Sequence, residues 1–198
     1  MLWIDCPIIV PVLNTSSEKW EPYALQVLAE VLGGSNSSRL TRDLVRAQQI
    51  AVGASANYNP TARLDNIFLI SGIPAQGHTV AEVQSAINQE IQQLQQQPIT
   101  NEELARIKAQ LIAEKTYAQD LIDAQATLLG SLVSVGLPYT LADTYFQQLE
   151  NITAAQVQAV AKKYLTAQRL TIGILIPQPM NPNKLPAAPA PVATSGVS

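Results

Sequence analysis

The sequence predicts an α+β fold, a mixed and mainly antiparallel sheet covered on one face by helices. Three observations predict it. Residues 51–59 and 67–74 (IFLISGIP) are β-like runs separated by Asn59-Pro60 and the polar Thr-Ala-Arg-Leu-Asp, which reads as an antiparallel hairpin. Short β-like runs also stand near both ends, at 2–6 and 170–176 (LTIGILI). Between them lie several stretches whose apolar residues recur at three- and four-residue steps, the period of a helix with one buried face.

In chain order, residues 2–6 predict a strand and 8–13 an extended continuation. Pro7 and Pro11 lack a donor N–H, which predicts an edge strand or a strand exit. Residues 14–19 are a polar loop. Pro22, with its φ already set for a first turn, predicts a helix over 21–32 with Leu25, Leu28, Val31 and Leu32 inward. Gly33-Gly34 predicts its stop, through the left-handed cap that glycine adopts without a Cβ clash. The oxygens of Ser35-Asn36-Ser37-Ser38 predict the cap of a second helix running to about Gln48. The run at 67–74 is continuously apolar, which predicts a strand buried on both faces.

Thr79 with Glu82, Thr100 with Glu103, and Thr153 with Gln156 each have the spacing of a capping box and each predict a helix start. The first carries an apolar stripe at Val80, Val83, Ile87, Ile91 and Leu94 with glutamines outside, and Pro98 ends it. The second has Leu104, Ile107 and Leu111 inward and runs to about Asp120. Residues 121–135 and 140–149 predict two more helices, separated by Gly136 and Pro138. The third box opens a helix with Val157, Val160, Ala161 and Tyr164 inward. The predicted domain spans 1–177, and the Pro/Ala-rich segment 178–198, with little to bury, is expected to be disordered.

Bulk composition excludes several classes. At 198 residues, 47% hydrophobic and 14% charged, the chain is long and apolar enough for one globular core. A net charge of −3 and a pI near 5.1 give no basic face for nucleic acid, and Lys162-Lys163 is too small a patch. The single cysteine, Cys6, rules out an internal disulfide framework and a cysteine zinc site, and its apolar surroundings suit a buried thiol. No apolar run reaches the roughly 18–20 residues of a membrane span. MLWIDCPIIVPV lacks a basic start and is broken by prolines, so it is not read as a signal peptide.

The stretch LGGSNSSRLTRDLV, followed by QQIA and a strand, resembles the opening of the C-terminal domain of the M16 (pitrilysin/insulinase-type) zinc metallopeptidases. The segment ITAAQVQAVAKKYL, a short loop and TIGILIP are similar to the end of such a domain, where a helix precedes the last strand. The resemblance implies an α+β half that closes like a clamshell on a second, HxxEH-bearing half, in the same gene product or on a separate subunit. It implies an unfolded peptide between them, and zinc in the partner domain with no cofactor in this chain. A homodimer is kept open. The chain reads as a soluble, bacterial-type sequence whose parent is periplasmic or cytoplasmic.

The chemistry of the active half is missing. An M16 site needs the two histidines and the glutamate of HxxEH, whereas this chain has one histidine, His78, followed by Thr-Val-Ala-Glu. His78 with Glu82 supplies two ligands, too few for a zinc site. The family also implies an arginine and, seven residues on, a tyrosine that assist the oxyanion. Through the SRL match these positions fall on Val45 and Val52, so both donors are absent, and Arg46 is one residue late. The resemblance leaves Ser38, Arg39, Val45, Arg46 and Val52 as the substrate- or partner-facing set, with no catalytic residue and no metal ligand among them. A scaffold subunit that has lost proteolysis, like the core subunits of a respiratory complex, is the alternative. The acidic neighbours Asp120 with Asp123, and Glu102 with Glu103, read as helix-face charges, and Tyr139 with Tyr145 as packing.

Overall fold

The computed structural model describes residues 3–119 and 122–176. Four strands, β1 (Trp3–Val10), β2 (Ala51–Asn57), β3 (Asn66–Pro74) and β4 (Gly173–Leu175), form one antiparallel sheet in the order β2-β3-β1-β4. In β1 the residues Ile4, Cys6, Ile8 and Val10 are buried, and Cys6 lies opposite Ile70. Asp5, Pro7 and Ile9 point to the other face by the two-residue period of a strand. Burial, with the neighbouring Asp5 charge, pushes the Cys6 thiol up, which suits a packing role.

The structure corrects two expectations about the strands. β1 is a central strand, paired with β3 on one side and β4 on the other, despite Pro7. The N–H and C=O of a strand residue point to the same side, and the Pro7 carbonyl accepts from the Thr171 N–H at 3.2 Å, on the β4 side. The missing donor therefore faces the region just before short β4 begins, and the long ladder with β3 is intact. β3 is likewise buried on one face only: Phe68, Ile70 and Gly72 are covered while Ile67 is 48% exposed. The apolar run reflects a sheet with helices on one side and an uncovered apolar face on the other.

Helix α1 (Glu21–Ala29) does not stop before the glycines. It widens into a π-helical segment, Glu30–Gly34, and neither glycine has positive φ. Glycine is required at 33 for a different reason from the cap expected. A Cβ there would lie 2.1 Å from the Ala56 nitrogen and 2.5 Å from the Ser55 carbonyl carbon, so the helix end can rest directly on the β2 backbone. The next helix opens at Arg39 and runs as a π-helix over Thr41–Ala47. Ser38 does not cap it as expected: its hydroxyl donates to the Ser35 carbonyl at 2.6 Å. The Gln48 N–H returns to the Asp43 carbonyl, five residues back. Gln49 (φ 56°) then turns the chain into β2.

Helices α2 (Val80–Gln96) and α6 (Ala154–Tyr164) begin with the complete capping boxes expected at Thr79/Glu82 and Thr153/Gln156. The box at α3 (Asn101–Gln119) is half made. Thr100 Oγ1 accepts from the Glu103 N–H at 3.1 Å, but the Glu103 carboxylate turns to Arg39. α4 (Ile122–Ser134) and α5 (Leu141–Glu150) follow. Of the two tyrosines read as packing, Tyr145 lies against Tyr23 at 5.7 Å between ring centroids, while Tyr139 is exposed at the turn before α5. Asp120 and the 178–198 segment lie outside the described residues.

The core joins the inner sheet face to α1, α2 and α6, with Phe68, Ile4, Ile8, Leu25, Leu28 and Ile87 fully buried. Each such side chain contributes about 1.5–3 kcal/mol relative to exposure. The Glu21 carboxylate enters this layer. Glu21, at the start of α1, accepts from the Tyr164 hydroxyl at 2.8 Å and from Ser16 Oγ at 3.0 Å, and pairs with Lys163. Burial pushes its carboxyl up, but the bonds from Lys163, Tyr164 and Ser16 outweigh this and hold it below the usual range. The chain's two ends of helix, α1 and α6, are thereby tied together by a satisfied buried charge.

Candidate functional site

The close seat of Gly33 on β2 creates a cleft. It has a volume of about 610 Å³ and lies among the π-helical end of α1, the Ser35–Ser37 turn, the π-helix, β2 and α3. Ser35, Asn36, Ser37, Thr41 and Gln110 supply polar side chains, Ala54 of β2 lines it, and Arg46 contributes its charge. Ser35 Oγ and Ser37 Oγ are 3.2 Å apart, and Arg106 of α3 donates to Ser37 Oγ at 2.8 Å. Arg46 is exposed and has no ion-pair partner among the described residues. Among the described residues, no titratable side chain other than Arg46 lines the cleft. These residues can exchange hydrogen bonds with a chain lying in it, but they offer no base to activate a nucleophile.

The site residues inferred from sequence divide into two groups. Ser38 is buried, its hydroxyl between Ser35 and Thr41. Arg39 forms a fork with Glu103, Nε to Oε1 at 3.0 Å and the terminal nitrogen to Oε2 at 2.7 Å, with both side chains mostly covered. Burial pushes the Glu103 carboxyl up, and the Arg39 bonds and charge overcome this and hold it low. Arg39 thereby ties the start of this helix to α3, while Ser38 braces the turn before it. Val45 is half-buried against the core. Arg46 reaches the cleft, and Val52, 55% exposed, sits at a register irregularity of β2 between Ala51 and Gly53. Because the helix carrying Val45 and Arg46 is wound with five-residue hydrogen-bond steps, neighbouring side chains are separated by less rotation than in an α-helix. Arg46 therefore stands nearer the direction of Val45 than α-helical geometry allows.

Sequence reasoning missed Glu103, Arg106, Ala54 and Gln110. Glu103 was masked by its place in a capping box, and it lies 64 residues from Arg39. No local pattern marks the other three.

His78 and Glu82 do not make a zinc site. His78 Nδ1 stands 3.6 Å from Glu82 Oε2, while the same oxygen accepts from the Thr79 N–H at 2.6 Å. The Thr79 backbone and hydroxyl hold the Glu82 carboxyl below its ordinary value, so its donor capacity is committed to the cap. Among the described residues no three His, Cys, Asp or Glu side chains come together as a metal-binding group. No helix among them is long and apolar enough to cross a membrane.

Comparison with solved structures returns the same fold. A protease from Helicobacter pylori matches with TM-score 0.80 and 23% identity over 89% of this chain. This chain spans only 41% of that one. The inactive peptidase domain from Bordetella parapertussis matches with TM-score 0.78 and 17% identity, over 89% of this chain and 93% of that one. Complex III2 from Candida albicans contains a chain matching with TM-score 0.73 and 18% identity, over 87% of this chain and 42% of that one. At these identities the likeness is one of fold. No curated protein matches the chain. The model of the peptidase M16 inactive domain matches residues 8–111, just over half of the sequence, and the chain belongs to that family.

Proposed function

We propose that this domain is the non-catalytic half of an M16-type zinc metalloendopeptidase, forming one wall of a peptide chamber opposite an HxxEH domain. That domain is carried on the same polypeptide or on a separate subunit. The observation that carries the reading is the one-sided cover of the sheet: the helices protect one face, and the other leaves Ile9 (64% exposed), Ile67 and Val52 open. An uncovered apolar face of this kind suits a second protein body. Zinc belongs to the partner, and no chemical step is assigned to the present chain.

Within this reading Arg46 and Val52 meet peptide or partner, Val45 backs them, and Ser38 with Arg39 fixes the shape of the cleft. An extended peptide binds by backbone hydrogen bonds at a sheet edge, and β2, an edge strand, contributes Ala54 to the cleft. The alternative is a scaffold subunit without proteolytic function. Valines in place of the oxyanion donors favour it, as does the fold likeness to Complex III2.

The test is peptide cleavage with added zinc, on this chain alone and mixed with its HxxEH partner. Activity only in the mixture supports the proposal. A stable complex that cleaves nothing supports the scaffold. Cleavage by this chain alone, abolished by a chelator, overturns both.

A further inference from the structure

A second cavity, of about 660 Å³, lies away from the cleft, between α1, the β2–β3 connection, α4 and α5. Its size falls within the range of small-molecule sites, about 300–1,000 Å³. Four aromatic residues, Tyr23, Tyr58, Tyr145 and Phe146, line it together with leucines including Leu132. Two of the hydroxyls are spoken for. Tyr58 donates to the Pro11 carbonyl and Tyr145 to Gln26 Oε1, each at 2.6 Å. Tyr23 differs: the residue is 2% exposed, and its hydroxyl has no hydrogen-bond partner among the described residues. The ring is covered but the hydroxyl is not sealed off, since the enclosed polar atoms without a partner among the described residues are His78 Nδ1 and Glu90 Oε2, and it is open to bond a polar atom of a bound molecule. Among the described residues, Asp123 is the only charged side chain in the lining, and no lysine, arginine or histidine contributes to it.

We infer that this cavity is a binding site for a small, uncharged, aromatic-rich molecule whose single polar group bonds to the Tyr23 hydroxyl. Four rings and the leucines match an apolar skeleton, and the hydroxyl can donate or accept. The described lining has no cation to receive a carboxylate or phosphate, so anionic ligands of the same shape are disfavoured. The site is independent of the chamber-wall reading, since none of its lining belongs to the polar cleft.

The test uses the full chain and two fluorescent probes that share one skeleton. N-phenyl-1-naphthylamine is neutral, and 8-anilino-1-naphthalenesulfonate carries an added negative charge. The neutral probe is expected to bind saturably at one site, with the sulfonate weaker by about tenfold or more because its charge would be buried without a partner. Ala142→Trp and Thr127→Trp, each placing an indole in the cavity, should abolish saturable binding while circular dichroism and thermal unfolding report an intact fold. Two blocking positions guard against one variant failing to fold. Tyr23→Phe keeps the ring and should weaken the neutral probe by about two- to tenfold, the worth of one hydrogen bond. Absence of saturable binding, or binding unchanged in the folded blocking variants, overturns the site. Equal or tighter binding of the sulfonate overturns the ligand class.

Discussion

Replacing Gly33 by alanine tests the contact that shapes the polar cleft. The added Cβ would lie 2.1 Å from the Ala56 nitrogen, 2.5 Å from the Ser55 carbonyl carbon and 2.8 Å from the Ser55 Cα, where ordinary contacts are 3.4–4 Å. All three atoms are backbone of β2, so no rotamer change relieves the clash, and the end of α1 and the strand must separate by more than an ångström. Overpacking of this sort costs about 1–3 kcal/mol and sometimes more, and here the rigid neighbours place it near the top of that range. Against it stands a gain of about 0.5–1 kcal/mol from the lower backbone entropy of alanine. The clash wins. The net loss of about 2–2.5 kcal/mol corresponds to a melting temperature lower by about 4–10 °C. Two other glycines supply controls of opposite character. At Gly130, within α4, a Cβ meets nothing within 4 Å, so Gly130→Ala should stabilise by about 0.5–1 kcal/mol. At Gly34 the atoms nearest the Cβ are those of the Glu30 carboxylate, the far end of a flexible side chain, so Gly34→Ala should cost less than Gly33→Ala. Urea unfolding of the three variants gives the order Gly130→Ala, Gly34→Ala, Gly33→Ala from most to least stable. A Gly33→Ala protein as stable as the parent would refute the close-approach account.

Three further outcomes follow from the buried charges. Glu21→Ala should cost about 3 kcal/mol in urea unfolding, because Lys163 and Tyr164 lose a covered partner. Since the Glu21 carboxyl is held low in the folded state, its contribution is complete at neutral pH and is lost as the pH falls below about 4.3. The gap between parent and Glu21→Gln should narrow there, and a gap independent of pH would contradict it. Arg39→Met should cost about 1.5–3 kcal/mol by breaking the fork to Glu103, and the same loss measured in Glu103→Gln would confirm that one interaction is responsible. Glu90 behaves in the opposite sense: burial first, then the Asp43 and Glu103 charges, push its carboxyl up against the opposing pull of Arg39 and Arg42, and its Oε2 has no partner among the described residues. Ionised Glu90 penalises folding above its raised pKa, so Glu90→Gln should be the more stable protein at pH 7 and lose that advantage in acid, where both folded and unfolded Glu90 are protonated. Thermal unfolding from pH 4 to 8 checks this, and an advantage that persists at pH 4 would count against it.

The helices were legible because their signals are local. The boxes at Thr79 and Thr153 and the apolar stripe of α2 decide structure within a few residues. What escaped depends on partners distant in sequence. Pro7 argued for an edge because the pattern cannot reveal that its missing donor faces the start of short β4. Gly33-Gly34 argued for a cap because glycine's conformational freedom is a local property, while the demand for a bare backbone against Ser55 and Ala56 is not. The candidate site shows the same division: the sequence sets Arg46 one residue past Val45, but that it lines the cleft, like the turn of Arg39 toward Glu103, depends on how the π-helix packs on β2 and α3.

The uncovered sheet face raises a question of its own, since a continuous apolar surface invites edge-to-edge and face-to-face association before any partner arrives. A polar row crosses it. Asp5, Ser71 and Ser55 lie opposite one another on β1, β3 and β2, and the Ser71 hydroxyl donates to Asp5 Oδ1 at 2.6 Å. This row bounds the apolar patch around Ile9 and Ile67, which face each other across β1 and β3. It also fixes register, because a one-residue slip would carry Asp5 into the core and its inward neighbours Ile4 and Cys6 out of it. Apolar area for a partner and protection against unspecific association are thus built from the same three strands, the first by side chains beyond the row and the second by the row itself.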